Sequence, residues 1–172
     1  MDFNYYLATH NEKSLPQWKI NSDFSVVSPL KNQEVFIDDE LWYSPEGLNH
    51  SELLWLYSLG AQVKFYHSLI TGELNTESIT IVEELLDNNF ESFLNLQNSE
   101  NNKFLYVHKY SYSHDHCVAV RMRYLCMLIA MGYPNVKLIK DIIKRDLQWF
   151  SELDSVSMNN HGMMVCVSIL HA

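Results

Sequence analysis

Apolar residues recur at helical spacing through most of the chain beyond residue 48. Leu53, Leu56, Tyr57, Gly60, Val63 and Ile70 fall on one stripe of a helix expected from about Ser51 to Ile70. Asn49 and Glu52 have capping-box form before it, and Gly72 is a natural stop after it. Thr76 caps a second helix, Glu77 to about Leu96, whose stripe is Ile79, Val82, Leu85, Leu86, Phe90 and Phe93. The connection is short, which predicts antiparallel neighbours. A third helix runs from Asp115 to Met131 and closes at Gly132 and Pro134. Asn135 caps a fourth, Val136 to about Leu153, with Val136, Ile139, Ile143, Leu147 and Phe150 facing inwards. A fifth starts near His161 and continues through the apolar run Met163 to Leu170 without a stop signal.

Two stretches break this period. Residues 1 to 48 are punctuated by Pro16, Pro29 and Pro45, with a turn at Ser44-Pro45-Glu46-Gly47. They predict an irregular N-terminal arm anchored by Trp18, Phe24, Phe36, Trp42 and Tyr43, with a weak strand signal near Val35 to Ile37. The second stretch, Phe104 to His116, sets Phe104, Tyr106, His108, Tyr110, Tyr112, His114 and His116 at alternate positions. An extended backbone would put all of them on one side. The fold class expected is all-α, with antiparallel helix pairs over residues 49–172 stacked as in a toroid or solenoid.

Composition narrows the partners. The formal net charge of -9 argues against a broad grip on nucleic acid. A polyanionic substrate would need a local cationic patch, for which Lys109, Arg121 and Arg123 are the candidates. Cys117, Cys126 and Cys166 form no CxxC pair and sit among apolar residues, which favours packed, reduced thiols. There is no secretory signal and no run long enough to span a membrane, so the chain as written is expected to be cytoplasmic.

The chemistry-bearing residues form two clusters. Asp115-His116-Cys117-Val118-Ala119-Val120-Arg121 sets a capping carboxylate, an imidazole and a guanidinium within two turns, with His114 seven residues before Arg121. The plain reading is a helix cap and a structural cation. Ser157-Met158-Asn159-Asn160-His161-Gly162 precedes the last apolar run. Its plain reading is a capped helix start with a satisfied histidine. Its chemical reading is β-elimination from a uronate sugar, where an amide such as Asn160 holds the substrate carboxylate as charge develops. His161, with a pKa near neutrality, takes or relays the proton. A zinc site built on His114 and His116 with His108, Asp115 or His161 has the donors, but the HxH spacing is common by chance. No activated cysteine, nucleophile elbow or phosphate-binding glycine loop is present, and no metal or cofactor is expected.

Together the clusters resemble the N-terminal helical part of the heparinase II/III-like polysaccharide lyases and related alginate lyases. Asp115, His116, Ala119 and Arg121 match an Asp-His-x-x-Ala-x-Arg pattern, and Asn159 through Gly162 match an Asn-Asn-His-Gly pattern one helical hairpin later. The similarity extends over residues 40 to 172. It implies an incomplete (α/α) toroid from an enzyme that eliminates across uronic-acid linkages in acidic polysaccharides. Asn160 would neutralise the carboxylate and His161 would be the neighbouring catalytic histidine. Asn159, Tyr112, His114, His116 and Arg121 would line or brace the substrate cleft.

In that family the catalytic tyrosine comes from a helix beyond the second motif, and a β-rich domain follows. Neither is found here, so the resemblance implies a truncated product, a domain fragment or half of a split enzyme. The uncapped last helix then predicts self-association or docking of a missing half. The rival expectation is a non-catalytic helical module that binds a glycan or a protein through its aromatic and histidine-rich segment.

Overall fold

The computed structural model describes residues 19–20, 25–27, 34–37, 56–74, 79–98 and 112–151, with the backbone alone at 19–20, 26, 35–36 and 112–116. Four helices make up its body: α1 (Gly60–Ile70), α2 (Ile79–Asn98), α3 (Tyr112–Ala130) and α4 (Val136–Phe150). The N-terminal arm is not wholly irregular. It contains β1 (Lys19–Ile20), β2 (Ser25–Val27) and β3 (Glu34–Phe36), an antiparallel meander in the order β1-β2-β3. Just after β3, Ile37 is buried as part of the same core as the helices.

The expected helix from Ser51 to Ile70 is interrupted. Helical backbone at Leu56 and Tyr57 gives way to a turn, and Leu59 takes φ 61° before α1 begins. A left-handed leucine is uncommon because Cβ crowds the backbone, and it persists only where the surroundings impose it. Leu59 is fully buried, and burial of its side chain offsets that cost. The break also removes the carbonyl of Tyr57 from a continuous ladder, leaving it available to another partner.

Each hairpin closes on residues that suit its turn. Thr71 ends α1, its hydroxyl donates to the His67 carbonyl at 2.9 Å, and Gly72 follows at φ 74°. Gly132 lies between α3 and α4 at φ 84°, and Asn135 caps α4 by accepting from the Leu138 amide at 3.3 Å. Nothing lies within 4 Å of the place a Cβ would occupy at Gly132. Gly132→Ala should therefore cost only the backbone penalty, about 1 kcal/mol of unfolding free energy measured in urea. A loss of three times that would show that the turn is also sterically crowded.

The hairpins stack in two rows. α1 packs beside α3 and α2 beside α4, while each hairpin is itself antiparallel. Gln62 to Asn89 (3.0 Å) ties α1 to α2 across their connection. Tyr66 reaches the Gly132 carbonyl, Tyr133 reaches Asp87, and Gln97 reaches Asp146. These contacts ascend both members of each row together, so α1 runs parallel to α3 and α2 parallel to α4. An up-down-up-down bundle would instead have antiparallel neighbours on every side.

Between the rows lie Phe65, Leu86, Phe90, Phe93, Val118, Met122, Leu125, Leu128, Ile139 and Ile142, all buried. Tyr133 packs edge-on against Tyr66 and Phe90. Ile70, Ile79 and Val136, all on the predicted apolar stripes, do not join this core. Ile70 (44 % exposed) and Ile79 (58 % exposed) are the last residue of α1 and the first of α2.

Candidate functional site

Among the described residues, a buried polar cluster is built on Arg121. Its stripe on α3 is otherwise apolar, with Val118, Leu125 and Leu128 buried alongside it. α4 brings Asp146 to meet it from the stripe that also carries Ile139, Ile142 and Phe150. The pair is bidentate, with Arg121 Nε donating to Asp146 Oδ2 at 2.8 Å and Nη2 donating to Oδ1 at 2.6 Å. Both side chains are 0 % exposed. Gln97 of α2 donates to the same Oδ1 at 2.9 Å.

The remaining guanidinium nitrogen, Nη1, donates to the Tyr57 carbonyl at 2.8 Å and lies 3.7 Å from Cys117 Sγ. The Phe93 ring covers the cation at 5.1 Å. One side chain thus joins α2, α3, α4 and the break before α1. A charge pair taken from water needs such geometry to repay its desolvation.

This position settles what Arg121 contacts. Expected at a substrate cleft, it has its guanidinium directed into the core and occupied by Asp146 and the Tyr57 carbonyl. It braces the helices rather than facing a ligand. Burial pushes the Cys117 thiol up to about 11 despite the nearby guanidinium, and the Cys126 thiol also up to about 11. Both are therefore protonated packing groups at neutral pH, not activated nucleophiles. Lys109 and Cys166 lie outside the described residues.

The start of α3 differs from its expected form. Tyr112 to His116 are helical, so the alternating pattern does not place Tyr112, His114 and His116 on one side. At 3.6 residues per turn, position 114 falls on the same helical face as positions 118, 121 and 125. Positions 112 and 116 share the less buried stripe of Val120 and Arg123. Asn159, Asn160 and His161 lie outside the described residues, as do His108 and the expected fifth helix. Among the described residues no group of His, Cys, Asp and Glu could hold a metal, and no helix is long and apolar enough to cross a membrane.

The clamp also fixes relative heights. From Arg121, α3 extends back roughly 13 Å to Tyr112, while α4 extends roughly 6 Å from Asp146 to Phe150. Because the helices are antiparallel, the start of α3 and the exit from α4 lie at the same end, with α3 projecting further.

Asp146 and Gln97 were not singled out from the sequence, although both carried a signal. Each is a polar residue on an otherwise apolar stripe, Asp146 after Ile139 and Ile142, Gln97 after Phe90 and Phe93. A polar residue so placed needs a buried partner. The fold defines a helical protein of stacked antiparallel pairs. Comparison with protein-family models, curated proteins and solved structures finds no match for the chain.

Proposed function

We propose that the chain is the helical segment of a polysaccharide lyase, its stacked hairpins forming part of an incomplete (α/α) toroid. The substrate is a uronic-acid-containing polysaccharide cleaved by β-elimination. The observation that carries this reading is the common end of α3 and α4. One lyase-like motif begins α3, and the other starts eight residues beyond Ser151. Eight residues span at most about 29 Å, so both motifs are tethered within reach of one cleft.

In this reading Asn160 donates to the substrate carboxylate while His161 removes the proton beside it. The C–H electrons form the new double bond, the glycosidic C–O bond breaks, and the departing oxygen takes up a proton. Asn159, Tyr112, His114 and His116 supply contacts to the sugar. Arg121 retains only a bracing role, holding α3 against α4.

The test is ultraviolet absorbance of the unsaturated product as the purified chain meets a panel of uronic-acid polysaccharides. Asn160→Ala is expected to slow product formation about 10²- to 10³-fold, as loss of an oxyanion donor does. His161→Ala should have a comparable effect. Unsaturated product formed equally by wild type and both variants would overturn these assignments. Glycan binding retained by both variants, with no product from any of the three proteins, would instead identify a non-catalytic binding module.

A further inference from the structure

The acidic balance of the chain conceals a division between its neighbouring helices. α2 carries Glu83, Glu84, Asp87 and Glu91 and has no lysine or arginine. α4, packed beside it, carries Lys137, Lys140, Lys144 and Arg145 against Asp141 and Asp146. Asp146 is buried in its pair with Arg121, so it adds no negative charge to the surface. Lys137, Lys140 and Lys144 are all exposed. Their spacing of three and four residues places them on one stripe, roughly 10 Å from first to last.

None of these lysines forms an ion pair within the described residues. Lys64 on α1, by contrast, is held by Glu73 at 3.0 Å. The α4 stripe continues through exposed Gln148 and ends at Ser151, the same end at which α3 starts.

The expected cationic patch of Lys109, Arg121 and Arg123 loses its central member to the core. The charge arrangement supplies a substitute on a different helix. We infer that the outer face of α4 is the surface along which an acidic polysaccharide lies. Lys137, Lys140 and Lys144 contact successive carboxylates, and the chain is directed towards the end shared by α3 and α4. Carboxylates spaced along an extended glycan match a linear row of ammonium groups. The acidic α2 beside it disfavours any path that leaves that row. The identity of the polymer rests on the lyase reading; the location of the surface rests on α4 alone.

The experiment is a binding titration with a size-defined oligouronate at two ionic strengths. It uses the full chain, Lys137→Gln/Lys140→Gln/Lys144→Gln, Lys64→Gln and Asn160→Ala. The triple variant is expected to bind at least about tenfold more weakly at low salt and to lose most of its salt sensitivity. Because Lys64 is off the stripe, Lys64→Gln should change affinity less than about twofold. Far-ultraviolet circular dichroism checks that the triple variant is folded, as exposed positions allow.

Equal binding by wild type and the triple variant, or no binding by wild type, overturns the surface. An oligonucleotide of equal charge that binds as tightly through the same lysines overturns the glycan as partner. Loss of binding in the triple variant while wild type yields no unsaturated product would leave the surface standing and sink the lyase reading instead.

Discussion

Asp146→Ala is expected to lower the unfolding free energy by about 3–5 kcal/mol, because it leaves the Arg121 cation buried without its counter-charge. For a chain of this length that corresponds to a fall in Tm of roughly 10 °C. Arg121→Met should cost at least as much. It strands the Asp146 carboxylate and also leaves the Tyr57 carbonyl, now accepting at 2.8 Å, without its donor. The informative protein is the double variant Arg121→Met/Asp146→Leu. With both charges gone and their volume partly kept, it should be less destabilised than the sum of the single changes, and less than Arg121→Met alone. Urea unfolding of the four proteins measures this coupling. Strict additivity, or a cost below 1 kcal/mol for Asp146→Ala, would show that the pair does not hold the helices. Under the proposed lyase reading, elimination by the double variant, measured per folded molecule, then separates bracing from substrate contact. A brace replaced by apolar packing leaves the chemistry in place, whereas a ligand for the sugar carboxylate does not.

That dependence explains what the sequence could reveal. Helices announce themselves through local rules. Gly72, Gly132, Pro134 and Asn135 punctuated the chain where the structure turns, and the stripes of α2 and α4 recur at the spacing that burial demands. The break at Leu59 had no such marker. The Tyr57 carbonyl at this break accepts from Arg121, sixty-four positions away, and no window around Ser58 contains that partner. The extended reading of residues 112–114, ahead of a helix expected from Asp115, failed for a related reason. Alternating Tyr and His satisfies a strand pattern, but these residues continue into the hydrogen-bonded ladder of α3, and cooperative helix extension prevails over side-chain alternation. At the candidate site, the sequence showed that Arg121 was unusual but not where it pointed. Position 121 could face water or core until α4 supplied Asp146 and α2 supplied Gln97. Those partners come from helices separated by loops, so spacing alone could not pair them.

Raising the pH should expose the second large energetic term in this interior, the burial of weak acids that must stay neutral. Desolvation pushes the Cys117 and Cys126 thiols from 9.0 up to about 11 and the Tyr57 and Tyr124 phenols from 10.0 up to about 12. Tyr133 shifts in the same direction, by burial and then by donating to Asp87 at 2.7 Å. In each case the unfolded chain gives up its proton at a lower pH than the folded one, so unfolding releases protons and is favoured by alkali. The stabilisation is intact below the unfolded value and is lost as pH climbs towards the folded value. Stability should therefore hold up to about pH 9, where the unfolded thiols begin to ionise, and then fall through pH 11 by something on the order of 5 kcal/mol. Urea midpoints taken at intervals from pH 7 to pH 11 would record this. Cys117→Ala/Cys126→Ala should delay the onset to near pH 10, where the unfolded tyrosines take over. An unchanged onset in that variant would overturn the assignment to the thiols. A profile flat to pH 11 in wild type would mean that these groups are far better hydrated than their buried positions between the helices imply.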